Sequence, residues 1–356
     1  MVFEWLLKSF KANDYQGSSA TYFLLRNLNN FGWSAAYPET TGYIIETLYA
    51  FDDFMHLPEN SAYLPDYQLL INKYKPLSGN NIQTEAALWI AGLQFPNGAL
   101  PGGRDGRSES AFNTGMMLFG LVAVYRREGR TEMLETAIRA AHWLCSIIDE
   151  DGDFVAGAYL PNYTPSYYTR ILWGMAEVNV HAKDENIEKA IKRALIFFRA
   201  RMLPNHAIQY WAFSASEAAH THTIAYTIRG FLETGHLLND QNAIACAQFI
   251  ADRLLEEYQQ HERLAGAYDL DWQGDYTYIC ITGHAQISLC LHRLADLTGD
   301  TRYKTAAKQI FETIINTPTR SGGLYGSKPF WGNYMRYKKL NWAAKFYLDA
   351  FMLYLK

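Results

Sequence analysis

The stretch YTYICITGHAQISLCLHRLADLTGDTRYKTAAKQIFETIINT, residues 276–317, decides the fold. It contains two helical segments, which the turn signal LTGD at 297–300 separates. The first segment is apolar or small around nearly its whole circumference, and such a helix is usually buried on all sides. The second, 302–315, places charged side chains on one side and apolar ones on the other, as in a helix with one face in water. The stretch therefore predicts an inner helix followed by an outer one.

The same pair of helices recurs along the chain with a period of about 55 to 65 residues, which suits a helical hairpin carrying a substantial loop. Further inner helices are predicted at 40–51, 110–128, 167–180, 220–233 (with a stop at 234–235) and 342–354. Further outer helices are predicted at 82–93, 132–148, 185–202 and 241–258. The amphipathic N-terminal segments 3–10 and 18–28 are left to complete the outer layer. We therefore predict an all-α (α/α)6 toroid of six inner and six outer helices, with an open right-handed α-solenoid as the alternative.

The composition favours one large folded unit. Of the 356 residues, 49% are hydrophobic and 15% aromatic, enough for a sizeable core with aromatic side chains left over for a binding site. No segment between the repeats has the composition of a linker, and a closed ring cannot be cut without exposing its core. We predict a single domain, 1–356, in which the N-terminal helices close the ring against the C-terminal helix.

Charge and hydropathy exclude several classes of function. The net charge is −4 and no basic run is present, so the electrostatic footprint of a nucleic-acid-binding protein is missing. The N-terminus lacks the apolar core of a signal peptide, and no apolar run approaches the ~20 residues of a transmembrane helix. We therefore expect a cytoplasmic protein without a transmembrane segment.

The sequence also predicts neither a cofactor nor a metal. Its four cysteines stand singly, as reduced core residues do: Cys145, Cys246, Cys280 and Cys290. His220 and His222 alone do not make a metal site, because no carboxylate follows at a ligand spacing.

The connections between helices indicate where a site would lie. Those from an outer to an inner helix are long, at 149–166, 203–219, 260–281 and 318–340, whereas those from inner to outer are short. Long ordered loops on one face of a rigid scaffold are usually functional. The N-terminal ends of the inner helices should therefore share one cavity, and the loops bring many tyrosines and tryptophans to it. Aromatic faces with interspersed polar groups suit sugar rings, so we predict a saccharide substrate.

Four residues are candidates for catalysis. His222 and His284 open neighbouring inner helices, where each could be a general base, a partner for a sugar hydroxyl or a structural residue. Tyr226 lies one turn after His222 and shares its helix face. Asp271 is the preferred acid, because Asp269 and Asp271 would project to the same side of an extended segment as paired carboxylates. The alternative for these two aspartates is a solvated turn.

Candidate substrate-binding residues lie at the same ends of the helices. Tyr37 and Glu39 flank Pro38 at the start of the first inner helix; the alternative for Glu39 is that it balances the helix dipole. Arg170 stands at a comparable position and could hold a substrate carboxylate. The remaining predicted substrate-binding residues are Asp105, Asn113, Trp211, Trp272, Gln286, Trp331 and Asn341.

Six motifs together resemble a known bacterial family. They are AYPETTGYI at 36–44, FNTG at 112–115, HTHTIAYT at 220–227, TGHAQ at 282–286, KPFWG at 328–332 and NWAAKF at 341–346. This set is similar to that of the VpsJ-like proteins, which are encoded in exopolysaccharide and capsule biosynthesis clusters. The resemblance implies an (α/α)6 toroid, related at fold level to unsaturated glucuronyl hydrolases, polysaccharide lyases, sugar epimerases and, more distantly, terpene cyclases.

Three hypotheses for the function follow. The first is a glycoside hydrolase-, lyase- or epimerase-like enzyme of surface-polysaccharide biosynthesis that acts on an acidic or lipid-linked saccharide, with other assembly proteins as possible partners. The second is a non-catalytic saccharide-binding or scaffold protein of the biosynthetic complex. The third is a terpenoid cyclase-like enzyme. The Asp-x-Asp-Asp motif of squalene-hopene cyclases is missing, which counts against it, and so is the Asp-Asp-x-x-Asp motif of prenyl synthases, because Asp52-Asp53 is followed by Phe54, Met55 and His56.

Overall fold

Alternating inner and outer helices form the architecture of the protein. The computed structural model describes residues 1–27, 30–103 and 106–356. The inner helices are α2 (Pro38–Met55), α5 (Ala111–Glu128), α7 (Thr169–Ala182), α9 (Thr221–Leu238), α11 (Ile281–Thr298) and α13 (Asn341–Tyr354). The outer helices are α1 (Val2–Lys11), α4 (Ile82–Gly92), α6 (Thr131–Ser146), α8 (Glu185–Arg199), α10 (Gln241–His261) and α12 (Thr301–Glu312). A short helix, α3 (Leu64–Lys73), stands outside this alternation.

The inner helices form a closed ring. Each packs against the next inner helix along the chain, and α13 packs against α2. The predicted (α/α)6 toroid is therefore confirmed, and the contact between the last and the first inner helix excludes the open solenoid. That the whole chain is one domain stays a prediction.

Three parts of the chain differ from the sequence-based prediction. In the predicted helical segment 18–28, the described residues 18–27 contain strand β1 (Thr21–Asn27) instead, because this strand pairs with β2 (Asn30–Trp33) and with β9 (Lys338–Leu340). Helix α9 runs past the predicted stop at 234–235, since Asn239 rather than Gly235 takes the left-handed conformation that ends it. The 3-10 turn Pro58–Tyr63 and α3, both between α2 and α4, were not predicted.

Glycines allow the inner helices to approach each other closely. A Cβ atom at Gly230 of α9 would lie 2.3 Å from the carbonyl carbon of Thr169 in α7. A Cβ atom at Gly283 of α11 would lie 2.5 Å from the backbone nitrogen of His222 in α9. Similar contacts surround Gly42, Gly115, Gly120 and Gly174, on α2, α5 and α7. Because only a residue without a side chain fits at these points, the helix backbones pack nearly in contact.

A buried asparagine joins the two ends of the chain. The Asn341 side-chain oxygen accepts a hydrogen bond from Trp5 Nε1 at 2.8 Å. Its amide nitrogen donates to Ser18 Oγ at 3.0 Å and to the Ser19 carbonyl, and its backbone N–H donates to the Ala20 carbonyl at 2.9 Å. All hydrogen-bonding groups of this buried side chain are therefore used in ring closure.

Short strand pairs hold the long loops at the N-terminal ends of the inner helices. β5 (Ala219–His220), directly before α9, pairs with β6 (Ala267–Tyr268) in the following loop. β7 (Ile279–Cys280), directly before α11, pairs with β8 (Ser327–Lys328) in the same way. β3 (Pro101–Gly102) pairs with β4 (Ser108–Glu109) before α5. The first two pairs join one loop to the next loop along the chain, and the third joins two parts of a single loop. None of the described helices combines the length and the apolar character that a membrane crossing requires.

The glycine contacts give a first testable expectation. We expect Gly230→Ala to lower the free energy of unfolding by about 2–4 kcal/mol, because the new methyl group would overlap the α7 backbone. Gly92→Ala is the matched control, because Gly92 is helical and has no atom within 4 Å of an added Cβ. This variant should raise the free energy of unfolding by at most ~1 kcal/mol. Urea unfolding followed by circular dichroism measures both. Equal effects of the two variants would contradict the close-packing account.

Ring closure gives a second expectation. Asn341→Leu keeps the side-chain size but leaves the Trp5 N–H and the Ser19 carbonyl without their partner, so we expect a loss of about 2–4 kcal/mol in urea unfolding. Asn242→Leu, at an exposed position of α10, serves as the control and should change stability by less than ~0.5 kcal/mol. A wild-type midpoint for Asn341→Leu would show that this amide does not hold the ring closed.

Candidate functional site

The first turns of the inner helices bring a group of polar and aromatic side chains together. We call this group the Glu39 cluster. Its members are Tyr37, Glu39, Asn113, Tyr159, Arg170, His222, Tyr226, Gln286 and Tyr334. Seven of the nine were predicted from the sequence as site residues; Tyr159 and Tyr334 come from the loops before α7 and α13.

A chain of hydrogen bonds holds the Glu39 carboxyl group. The Tyr37 hydroxyl donates to Glu39 Oε2 at 3.0 Å and lies 3.4 Å from the Tyr159 hydroxyl. Tyr159 in turn hydrogen-bonds the side-chain oxygen of Asn113. Asn113 is fully buried, whereas Tyr37, Glu39 and Tyr159 retain some exposure, so the carboxyl group is fixed from the protein side and reachable from outside.

The surroundings of Glu39 change its acidity. Burial raises the pKa of Glu39 to about 7, although the Tyr37 hydrogen bond and the positive charge of Arg170 both act to lower it. A carboxyl group with this pKa is present in both protonation states at neutral pH. Such a group can donate and accept a proton in the same catalytic cycle.

His222 is held as a neutral imidazole. Its Nδ1 lies 2.7 Å from Gln286 Oε1, so Nδ1 donates its proton to the amide oxygen and Nε2 is the acceptor nitrogen. Burial lowers the pKa of His222 to about 3, which keeps the ring uncharged at neutral pH. The Tyr226 ring lies 4.4 Å from the imidazole and the Tyr334 ring 5.5 Å, measured between ring centroids. His222 can therefore accept a hydrogen bond through Nε2.

Arg170 is a buried cation without an acidic partner. Among the described residues no carboxylate lies within 4 Å of its guanidinium group, and its Nε donates to the Met116 sulfur at 3.3 Å. Aromatic rings surround it instead, with the Tyr226 ring centroid 4.6 Å and the Phe346 centroid 5.5 Å from the guanidinium carbon. Cation–π contacts of this kind stabilise a desolvated guanidinium group. That Arg170 holds a substrate carboxylate stays a prediction.

His220 borders the Glu39 cluster at its exposed side. Its Nδ1 lies 2.7 Å from the Tyr278 hydroxyl, and its ring is 5.0 Å from that of Tyr334. The segment His220-Thr221-His222 placed His220 at the start of the helix, but the sequence alone gave no reason to prefer His220 or the loop tyrosines as site residues. Their position depends on the strand pairs that fix the loops.

Other predicted site residues lie away from the Glu39 cluster. Asp271 is exposed in a turn, where its backbone N–H donates to Asp269 Oδ1 at 2.9 Å. Trp211 and Trp272 are buried against each other with ring centroids 5.2 Å apart. His284 is buried, with Nδ1 3.0 Å from the Cys280 carbonyl oxygen. The structure thus supplies structural or solvent contacts for these four, and their predicted roles remain untested.

Three further predicted residues complete the set. Trp331 is 54% exposed and packs edge-on against Phe330. Asn341 uses its amide in ring closure. Asp105 lies outside the described residues. In the described part of the chain, no three His, Cys, Asp or Glu side chains come together as a metal site.

Comparison with known proteins supports the fold. No protein-family model matches the sequence, and no curated protein sequence matches it. An unsaturated glucuronyl hydrolase from Bacillus sp. GL1 is similar in structure, with a TM-score of 0.71, 13% identity, and coverage of 100% of this chain and 95% of that chain. An unsaturated glucuronyl hydrolase specific for heparin has a TM-score of 0.67 at 14% identity, and the match covers 99% of this chain and 97% of that chain. A cellobiose 2-epimerase from Bacillus thermoamylovorans is similar with a TM-score of 0.67 and 13% identity, and the match covers 98% of this chain and 95% of that chain. At these identities the likeness establishes the (α/α)6 fold.

The raised pKa of Glu39 predicts how stability depends on pH. The folded state holds this proton up to about pH 7, whereas the unfolded state releases it near the ordinary value of 4.5. Stability is therefore lost as the pH rises through this window. Glu39→Gln removes the ionisation, so at pH 8 the variant should be more stable than the wild type by about 1–3 kcal/mol, and this gain should vanish at pH 4.

Urea unfolding at the two pH values measures this difference. Glu185→Gln, at an exposed position of α8 with an exposed Lys189 partner, is the control and should show a difference below ~0.5 kcal/mol at both pH values. A Glu39→Gln effect that does not change between pH 4 and pH 8 would show that the Glu39 pKa is not raised.

Proposed function

We propose that this protein is a carbohydrate-active enzyme in which Glu39 transfers a proton to or from a saccharide bound at the N-terminal ends of the inner helices. The observation that carries this proposal is the Glu39 carboxyl group itself. It is fixed by Tyr37, partly accessible, and has a pKa of about 7. A structural carboxylate at a helix N-terminus would gain from being ionised, whereas burial here favours the protonated form.

The composition of the Glu39 cluster favours a saccharide as the substrate. Tyrosine rings offer flat apolar faces to the C–H side of a sugar ring, and their hydroxyl groups offer polar partners to its hydroxyls. Tyr37 and Tyr159 retain exposure, as do the neighbouring rings of Phe213 and His220. A purely hydrocarbon substrate would leave these polar groups without partners.

The cluster supports proton transfer by a single carboxyl group better than hydrolysis by a carboxylate pair. Ordinary glycosidic hydrolysis uses two carboxyl groups that flank the bond. In the described part of the chain, the hydrogen-bond network of Glu39 contains tyrosines and an asparagine but no second acid. Reactions that need one proton donor or acceptor at carbon include hydration of an unsaturated uronyl ring and epimerisation beside a carbonyl group. The similar structures include enzymes named for both substrate classes.

For an unsaturated uronyl ring, the residues can be assigned as follows. Protonated Glu39 gives its proton to a carbon of the C=C bond, and the electron pair of that bond forms the new C–H bond. Water adds to the resulting cation and its proton returns to the Glu39 carboxylate. Arg170, the cation that acts on Glu39, offsets the negative charge that the carboxylate carries between the two steps. His222 Nε2 and the Tyr226 hydroxyl hold the sugar or the water by hydrogen bonds.

The biological setting is part of the proposal. The six motifs that resemble the VpsJ-like family support a role in exopolysaccharide or capsule biosynthesis, on an acidic or lipid-linked saccharide in the cytoplasm. Other proteins of polysaccharide assembly would then be partners. A domain that spans residues 1–356 is consistent with the similar structures, which cover nearly the whole chain.

Turnover measurements test the assignment of Glu39. Purified protein is incubated with unsaturated uronyl oligosaccharides, whose ultraviolet absorbance is lost on hydration, and with reducing disaccharides, whose epimerisation is followed by NMR. For the substrate that is turned over, we expect Glu39→Gln to lower kcat by about 10²–10⁴-fold with little change in KM, and kcat/KM of the wild type to change with a pKa near 7.

Glu185→Gln is again the control and should keep wild-type kcat. A Glu39→Gln variant with wild-type kcat would remove Glu39 from the mechanism. Saccharide binding by the wild type without turnover of any substrate in the set would instead support the alternative function as a saccharide-binding protein.

A further inference from the structure

A cavity opens at the end of the ring opposite the Glu39 cluster, where the inner helices have their C-terminal turns. Its volume is about 540 Å³, and α2, α7, α9, α11 and α13 all contribute to its lining. Small-molecule sites in proteins commonly have volumes of about 300–1,000 Å³. The cavity is therefore large enough for a molecule the size of a mono- or disaccharide.

Three arginines line one wall of this cavity. Arg170, Arg229 and Arg293 line it from three successive inner helices, α7, α9 and α11. In the part of the chain that the structure describes, Glu233 is the one carboxylate within 4 Å of any of the three: its oxygens lie 2.7 Å from Arg229 Nε and 3.2 Å from Arg293 Nε. Arg229 and Arg293 thus share one carboxylate, and Arg170 has none within 4 Å; Asp296 of α11 also lines the cavity, with no cation of the described residues within 4 Å of it.

The acids of the opposite wall are already partnered. Asp349 Oδ2 accepts from Lys345 Nζ at 2.5 Å, and its Oδ1 accepts from the Thr47 hydroxyl at 2.8 Å. Glu46 lies 3.7 Å from Arg126. Glu46 still acts electrostatically on Arg170 and Arg229, and Asp349 on Arg229, so these acids offset part of the arginine charge without a direct ion pair to the three guanidinium groups. Trp173, Leu289 and Phe346 supply apolar lining between the two walls.

We propose that this cavity binds a hexose-sized molecule that carries an oxyanion, a carboxylate or a phosphate group. The oxyanion accepts hydrogen bonds from the arginines on α7, α9 and α11, since guanidinium groups match the geometry of both anions. The body of the ligand packs against Trp173 and Phe346, and its hydroxyl groups reach the partnered acids across the cavity.

The two ends of the ring share side chains. Gln286 lines this cavity, and its Oε1 accepts the hydrogen bond from His222 Nδ1 at the other end. Arg170 lines it too, and its charge acts on Glu39. A bound oxyanion would therefore change the electrostatics of the Glu39 cluster, so the ligand acts as an effector; this effect, unlike the binding itself, rests on the proposed function.

Calorimetry on the full-length protein tests the binding directly. The probes are inorganic phosphate, glucose 6-phosphate and glucuronate, with glucose as the uncharged reference. We expect at least one of the two sugar anions to bind roughly tenfold or more tightly than glucose, and comparison of the two tells phosphate from carboxylate. Arg293→Gln should weaken that binding by roughly tenfold or more, and Arg293→Lys by less. Arg302→Gln, at an exposed position of α12, should bind as the wild type does.

Two further variants separate this proposal from other causes of lost binding. Ala50→Trp narrows the mouth of the cavity at an exposed lining position without removing a buried charge, and should also weaken binding. Glu39→Gln should still bind the sugar anion more tightly than glucose, because the arginines that hold the anion are unchanged, so a failure of the proposed catalytic role would leave this result intact. Anion binding no tighter than that of glucose, or wild-type affinity in both Arg293→Gln and Ala50→Trp, would overturn the proposal.

Discussion

The close approach of the inner helices is the constraint on which the structure depends. At Gly230 and Gly283 one helix backbone lies against the next, so that even a methyl group would overlap it. Gly283 meets α9 at Thr221 and His222, and Gly230 meets α7 at Thr169 and Arg170. The glycines therefore bring together the helix turns that carry functional side chains. The hydrogen bond between His222 and Gln286, on neighbouring helices, follows directly from this approach.

A narrow ring also explains the unusual acidity of its interior groups. Neighbouring side chains bury His222 and most of the Glu39 side chain, and burial disfavours the charged form of a titratable group. The same cause raises the pKa of Glu39 and lowers that of His222, so that the Glu39 cluster holds both a carboxyl group that titrates near neutral pH and a neutral imidazole. Arg170 remains charged because aromatic rings replace its water. Arg170 and Gln286 belong to the Glu39 cluster and also line the cavity at the opposite end of the ring.

The sequence predicted the fold because helical periodicity indicates which face each helix buries, and the inner segments are apolar or small around most of their circumference. It also placed Tyr37, Glu39, Arg170 and His222 correctly at the N-terminal ends of inner helices. It could not tell which loop tyrosines turn inward, since Tyr159 reaches Asn113 whereas Trp211 and Trp272 pack on each other. Arg229 and Arg293 were not predicted as site residues, because charged side chains in the later turns of a helix are ordinarily in contact with solvent and the sequence alone does not show that they line a cavity.

The central claim is that burial in a closed ring turns Glu39 into an acid that titrates near neutral pH. The most direct test is a pH titration of the Glu39 side-chain carboxyl carbon by ¹³C NMR, with the resonance assigned by its absence from Glu39→Gln. The account predicts a midpoint at about pH 7. A midpoint near the ordinary value of 4.5 would contradict it.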